Sequence, residues 1–149
     1  MAEYLANAVQ TVELNQPIVF TASIPCARGN VVHEDETGIF ILRGNSTNCF
    51  ARYQVTFNGN IALPTGGTVG PIAVAIATNG EARPTSRAIV TPAAVEEYNN
   101  VTSTAIITVP RGCCYSLSVR AVSGVTEEGD TPAPAIDVIN SNLVITRIA

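Results

Sequence analysis

Cys49-Phe50-Ala51-Arg52-Tyr53-Gln54-Val55-Thr56-Phe57-Asn58 alternates residue by residue, with Ala51, Tyr53, Val55 and Phe57 against Arg52, Gln54, Thr56 and Asn58. Successive side chains of a strand point to opposite faces, so this pattern describes a strand with one buried side. Cys49 falls in the inward row, and Phe50 interrupts the polar outward row. Val101, Ser103, Ala105, Ile107 and Val109 repeat the motif against Thr102, Thr104 and Thr108, with Ile106 as the outward exception. Cys113, Tyr115, Leu117, Val119 and Ala121 oppose Cys114, Ser116, Ser118 and Arg120. A further row takes the even positions Val12, Leu14, Gln16, Ile18, Phe20, Ala22 and Ile24. Nothing in the chain matches these rows with a helical period.

Shorter strands are predicted at Gly29–His33, Gly38–Arg43, Pro71–Thr78 and Thr85–Val90, with a final pair at Ala135–Ile139 and Asn142–Ile148. That makes nine or ten strands. Ile72, Val74 and Ile76 alternate with Ala73, Ala75 and Ala77, so this strand is apolar on both faces and belongs in a sheet centre. Apolar parity shifts between Val138 and Leu143, which predicts a bulge or bend at Asn140-Ser141-Asn142. Asn79-Gly80 predicts a tight hairpin, because a type I′ turn needs positive φ at both central positions. Thr91 and Pro92 read as the cap and first turn of a short helix running to Tyr98. Glu127–Pro134 reads as an exposed loop. Many short strands separated by turn residues indicate a sandwich or barrel.

The 149 residues suit one domain, read as a jelly-roll β-sandwich over 1–149 with residues 1–10 as an extended N-terminal arm. Apolar residues make up 46% and charged residues 13%, against about 25% charged in an ordinary soluble domain. Exposed neutral surface on that scale favours self-association. All eight cations are arginine and none lies in a basic run, so the footprint of a nucleic-acid binder is missing. No apolar run approaches the length of a membrane span. Met1-Ala2-Glu3-Tyr4 lacks the basic and apolar regions of a secretory signal, so the expectation is a soluble chain made in a cytoplasm.

Chemistry-bearing residues are sparse. Cys49 and Cys113 are expected as small core residues, while Cys114 points outward, where metal binding or a contact between subunits is its functional reading. His33 and Cys26 lie in another segment and no Cys-x-x-Cys is present, so no metal site is expected. Glu34-Asp35-Glu36 and the group Glu127, Glu128 and Asp130 lack the spacing of a calcium loop. The only histidine carries no nucleophile motif, and aromatics are 5% with no tryptophan to stack a sugar. Neither an enzyme nor a cofactor is expected.

Gly38-Ile39-Phe40-Ile41-Leu42-Arg43-Gly44, Cys49-Phe50-Ala51-Arg52-Tyr53, Asn58-Gly59-Asn60-Ile61-Ala62, Val109-Pro110-Arg111-Gly112-Cys113-Cys114 and the closing Asn142–Ala149 span most of the chain. Together they resemble a family of small proteins from Firmicutes genomes and their bacteriophages. The pattern is also similar to the tumour-necrosis-factor-like jelly roll, a trimeric fold found at the tips of spore-surface filaments. The chain departs from the spore proteins in having no Gly-X-Y collagen region. The resemblance implies a virion structural protein, made in the host cytoplasm and located in the virion, as a homotrimer decorating a phage capsid or forming a head-fibre module. Its implied partners are its own copies, the major capsid protein and other virion components, with no nucleic acid and no membrane. Alternatives are a spore- or cell-surface ligand-binding trimer and a small β-sandwich hydrolase. Phe50 and Ile106, apolar in polar outward rows, are the candidate subunit-interface residues.

Overall fold

The computed structural model describes residues 2–24, 29–33, 36–124 and 135–149. Its strands are β1 (Ala2–Ala6), β2 (Gln10–Glu13), β3 (Ala22–Ile24), β4 (Val31–His33), β5 (Phe40–Arg43) and β6 (Phe50–Ala62). They continue as β7 (Ile72–Thr78), β8 (Glu81–Ala82), β9 (Ala88–Val90), β10 (Asn99–Pro110), β11 (Cys114–Ser123) and β12 (Ala135–Arg147). One sheet runs β10-β6-β12-β1-β3, with β2 also on β12; the other runs β4-β5-β11-β7-β8, with β9 also on β7. All pairings within the two sheets are antiparallel, and the sheets face each other across one apolar core.

The long alternating rows fold as their pattern requires. Ala51, Tyr53, Val55 and Phe57 of β6 are fully buried, and Val101, Ser103, Ile107 and Val109 of β10 are buried opposite them. On β11, Leu117, Val119 and Ala121 are buried, while Tyr115 is half-buried against the core. β7 is buried on both faces: Ile72, Val74 and Ile76 enter the core, and Ala73, Ala75 and Ala77 lie on the opposite side. Asn79 and Gly80 both have positive φ, 53° and 81°, in the hairpin between β7 and β8. The two expected C-terminal strands are one strand, β12, whose register shifts between Ile139 and Asn142. Asn140, at φ 50°, supplies the left-handed residue that the bulge needs.

Several expectations are corrected. The row from Val12 to Ile24 is not one strand, because Asn15 takes φ 65° and turns the chain out of β2. From there it crosses to the other sheet, where the Asn15 and Ile18 N–H groups donate to the Ala121 and Val119 carbonyls at 2.7 Å each. Ala22 is exposed in β3, beside Leu5. Splitting that row and merging the expected C-terminal pair into β12 offset each other; β1 and β8, not expected from the sequence, bring the strands among the described residues to twelve. The helix from Pro92 to Tyr98 is absent: Pro92 is buried, Glu96 sits at φ 59°, and the Glu96 N–H donates to the Leu63 carbonyl at 2.9 Å. A tertiary partner takes the backbone group that a helix would have used. A 3-10 turn instead occupies Pro84–Ser86, overlapping the start of the strand expected at Thr85–Val90, of which Ala88–Val90 is strand. Residues 1–10, set apart in sequence as an arm, include β1, which is hydrogen-bonded into the sheet between β12 and β3 with Ala2 opposite Ile145. The loop expected at Glu127–Pro134 lies outside the described residues.

Side chains complete the backbone pairing where strands stop. The Gln10 amide donates to the Val19 carbonyl and accepts the Val19 N–H, both at 2.9 Å. The Ser86 hydroxyl accepts the Ile76 N–H at 3.0 Å in the gap between β8 and β9. Both spare buried backbone groups the cost of lost hydrogen bonds. At one end of the core the Tyr53 hydroxyl donates to the Arg43 and Asn30 carbonyls at 2.5 and 3.2 Å. Further along β5, Phe40 packs edge-on to Tyr4 and Phe20, with ring centroids 4.6 and 5.7 Å apart.

Two predictions follow from this packing. Ile76→Ala empties the fully buried centre of β7 and should cost about 2–5 kcal/mol in a denaturant titration. Burial pushes the phenols of Tyr4 and Tyr53 above their ordinary value near 10, and at Tyr53 it outweighs the opposing pull of Arg147. A raised phenol keeps its full contribution below pH 10 and loses it as pH climbs through the folded value. Thermal stability should therefore fall above pH 10, and less steeply in Tyr53→Phe than in the parent chain.

Candidate functional site

The outward face of the β10-β6-β12-β1 sheet is built from the second half of each alternating pattern. β6 contributes Phe50, Arg52, Gln54, Thr56, Asn58 and Asn60; opposite them on β10 stand Pro110, Thr108, Ile106, Thr104, Thr102 and Asn100. β12 adds Ile139, Asn142, Val144 and Thr146, and β1 adds Leu5 and Glu3. Between the levels of Phe50 and Asn60 the outward positions of these four strands carry two charges, Arg52 and Glu3, while Arg147 of β12 pairs with the inward Tyr53. Three strands with about ten residues each on this face and β1 of five residues, about 4.8 Å apart with a rise of about 3.3 Å, make a face of roughly 550 Å².

The polar groups on this face largely bind one another. Asn58 accepts from the Asn100 amide and the Thr102 hydroxyl, both at 3.0 Å, and Thr56 meets Thr104 at 3.3 Å. The Asn142 amide donates to the Glu3 carboxylate at 3.2 Å. Arg52 lies over the Phe50 ring, with the guanidinium carbon 4.6 Å from its centroid. Such mutual satisfaction lowers the cost of removing the face from water.

Phe50 and Ile106 share this face, as their parity requires, but are not paired. Phe50 is opposite Pro110, and Ile106 is opposite Gln54, four residues or about 13 Å along the strands. Ile106 is 54% exposed, and Phe50 is half-buried beneath Arg52. Ile148, 47% exposed, follows β12 on the same side; its N–H donates to the Arg52 carbonyl at 2.9 Å. Sequence parity pointed to Phe50 and Ile106 but missed Ile148, because only the final strand's pairing places it beside them.

The cysteines differ from expectation. Cys49 and Cys113, expected inward, are both exposed, as is Cys114. Cys49 precedes the first residue of β6, and Cys113 belongs to the turn after Pro110, so their rows run past the end of the sandwich. Cys26, Glu34, Asp35, Glu127, Glu128 and Asp130 lie outside the described residues. Among the described residues no three His, Cys, Asp or Glu side chains are grouped to hold a metal ion. His33 stacks on Phe40 with centroids 4.3 Å apart, and its Nε2 lies 2.9 Å from the Thr37 carbonyl oxygen, an arrangement that belongs to packing. On the opposite sheet, Ala75, Ala82, Arg83, Pro84, Arg87, Val122 and Ser123 line a depression of about 290 Å³.

No protein-family model matches the chain, and no curated protein does. Solved structures do. The globular domain of zebrafish complement 1qA protein is 14% identical with a TM-score of 0.58, covering 99% of this chain and 97% of its own. The Eiger TNF of S. frugiperda is 11% identical with a TM-score of 0.65, covering 100% of this chain and 92% of its own. At such identities the likeness is one of fold: the sandwich is a jelly roll of the TNF and C1q type.

The exposure of the thiols has a direct chemical readout. In reduced native protein, Cys49 and Cys113 should react with iodoacetamide within about tenfold of the rate of Cys114. Protection of either by much more than that would restore an inward position.

Proposed function

We propose that this chain is a non-catalytic structural subunit that assembles as a homotrimer through the outward face of its β10-β6-β12-β1 sheet. One observation carries the reading: a nearly uncharged face, internally hydrogen-bonded and studded with Ile106, Ile148 and Phe50. Its extent is comparable to the about 800 Å² that each partner buries in an ordinary protein interface. Charge depletion with apolar and aromatic anchors is the composition of interface cores. The low overall charge of 13% supports the same conclusion. The further step, to a place in the virion as capsid decoration or a head-fibre module, rests on the resemblance read from the sequence alone.

The depression beside Arg83 and Arg87 favours a second reading, a spore- or cell-surface trimer that binds a ligand on its other sheet. The two readings share the interface and differ in where the protein resides. Mass spectrometry of purified phage particles should find the chain in multiples of three copies per attachment point. Its absence there, with recovery from spore or cell-wall fractions, would favour the second.

The interface is tested on the purified protein. Light scattering should give three times the chain mass of 15.6 kDa. Ile106→Asp, at a position 54% exposed in the single chain, should leave the strand content intact. In the trimer the new carboxylate would be buried without a partner, costing about 3 kcal/mol or more and weakening assembly at least about 100-fold. Parent protein that stays monomeric at micromolar concentration would falsify the reading.

A further inference from the structure

All three cysteines among the described residues are exposed. An unpaired cysteine is among the most frequently buried side chains and packs as a small apolar group. Three on the surface of one small fold therefore point to chemistry, not packing. They also share one end of the sandwich. Cys49 immediately precedes Phe50, and its carbonyl accepts the Arg111 N–H at 2.9 Å. Cys113 closes the turn from Pro110, donating its N–H to that carbonyl at 3.0 Å, and its own carbonyl accepts the Gly44 N–H at 2.9 Å. Cys114 opens β11 opposite Arg43.

The frame that holds them is tight. A Cβ on Gly44 would fall 2.1 Å from the Pro110 carbonyl oxygen, so the two loops approach as closely as backbone allows. Two fates for the thiols within one chain are disfavoured. The described residues offer no metal-holding group of His, Cys, Asp or Glu side chains. No cis peptide bond is present among the described residues, and across a trans bond the Cα atoms of Cys113 and Cys114 are about 3.8 Å apart, under the roughly 4.4 Å where ordinary disulfides begin.

We propose that Cys49, Cys113 and Cys114 form a covalent cross-linking site that joins neighbouring copies of this chain by disulfides. The proposal rests on the self-association described above. A cyclic assembly places equivalent residues on a ring at one level, and Cys49 is continuous with Phe50 at the end of the associating face. Each copy thus presents its thiols at the same end, beside those of its neighbours. The reaction needs a low-molecular-weight disulfide as oxidant. A thiolate of one copy attacks it, forming a mixed disulfide and releasing one small thiolate. A thiolate of the neighbouring copy then attacks the protein sulfur of that mixed disulfide and displaces the second small thiolate. Two protein thiols are oxidised, one small disulfide is reduced to two thiols, and the two protons lost by the protein end on those thiols.

The test uses the full chain carrying Cys26→Ser, reduced, desalted and exposed to oxidised glutathione. After quenching with iodoacetamide, a non-reducing denaturing gel should show linked dimers and trimers, formed at a rate independent of protein concentration. The additional substitutions Cys49→Ser, Cys113→Ser and Cys114→Ser should abolish the linked species while light scattering under reducing conditions still reports the trimer. Single-chain bands bearing only glutathione adducts or internal bridges, from protein that remains trimeric, would overturn the cross-linking site and leave self-association standing. Protein that is monomeric when reduced, and whose cross-linking speeds up in proportion to its concentration, would overturn both.

Discussion

The alternation of β6 is the constraint on which the other elements depend. This strand is hydrogen-bonded on both sides, to β10 along twelve residue pairs from Phe50↔Pro110 to Ile61↔Asn99, and to β12 across a register shift. Slipping either pairing by one residue would turn Tyr53, Val55 and Phe57 toward water and bring Arg52, Gln54 and Thr56 into the core. The buried row therefore fixes the register of its neighbours. The bulge at Asn140 reconciles β12 with that register, so that Val138 and Leu143, an odd number of residues apart, both face inward.

The same constraint determines what reaches the surface. Once the inward row is apolar, the outward row must be whatever alternates with it, and here it is threonine, asparagine and a few aliphatics. Other described arginines are placed elsewhere: Arg83 and Arg87 flank the 3-10 turn, Arg120 reaches the Asn15 carbonyl, and Arg147 reaches Asn30 at the end of the core. Charge is thus spent on holding loops and crossovers, while the broad face of the longer strands is left neutral. That division connects the low charge of the whole sequence to one particular surface.

How far the sequence could be read depends on whether a position is governed by its local neighbours or by distant ones. The buried identities of Tyr53, Val55, Phe57, Leu117 and Val119, the hairpin at Asn79-Gly80 and the shift near Asn140 were legible, because period and turn chemistry are local properties. The outward placement of Phe50 and Ile106 followed from the same count. Cys49 and Cys113 were misjudged because a period says nothing about where the sheet ends. Thr91-Pro92 carries a sound helix-start signal, yet the Leu63 carbonyl, distant in sequence, takes the Glu96 N–H. Gln10 and Ser86 act as stand-ins for missing strand backbone, and no pattern in their own neighbourhoods announces it.

The pairing of Ala2 with Ile145 puts the first and last strands side by side, antiparallel, with the two termini at one end of the sheet. The Ala149 carbonyl, bonded to the Arg52 N–H at 3.2 Å, keeps the chain end at that same level. A tether pulling the two termini apart would load the β1–β12 ladder one rung at a time and unzip it at low force. A tether drawing on β1 alone, with β12 held within its own copy, would pull along the strand and load all the rungs together. Mechanical strength in this fold is therefore a matter of attachment geometry: the same hydrogen bonds yield or hold according to which end carries the load.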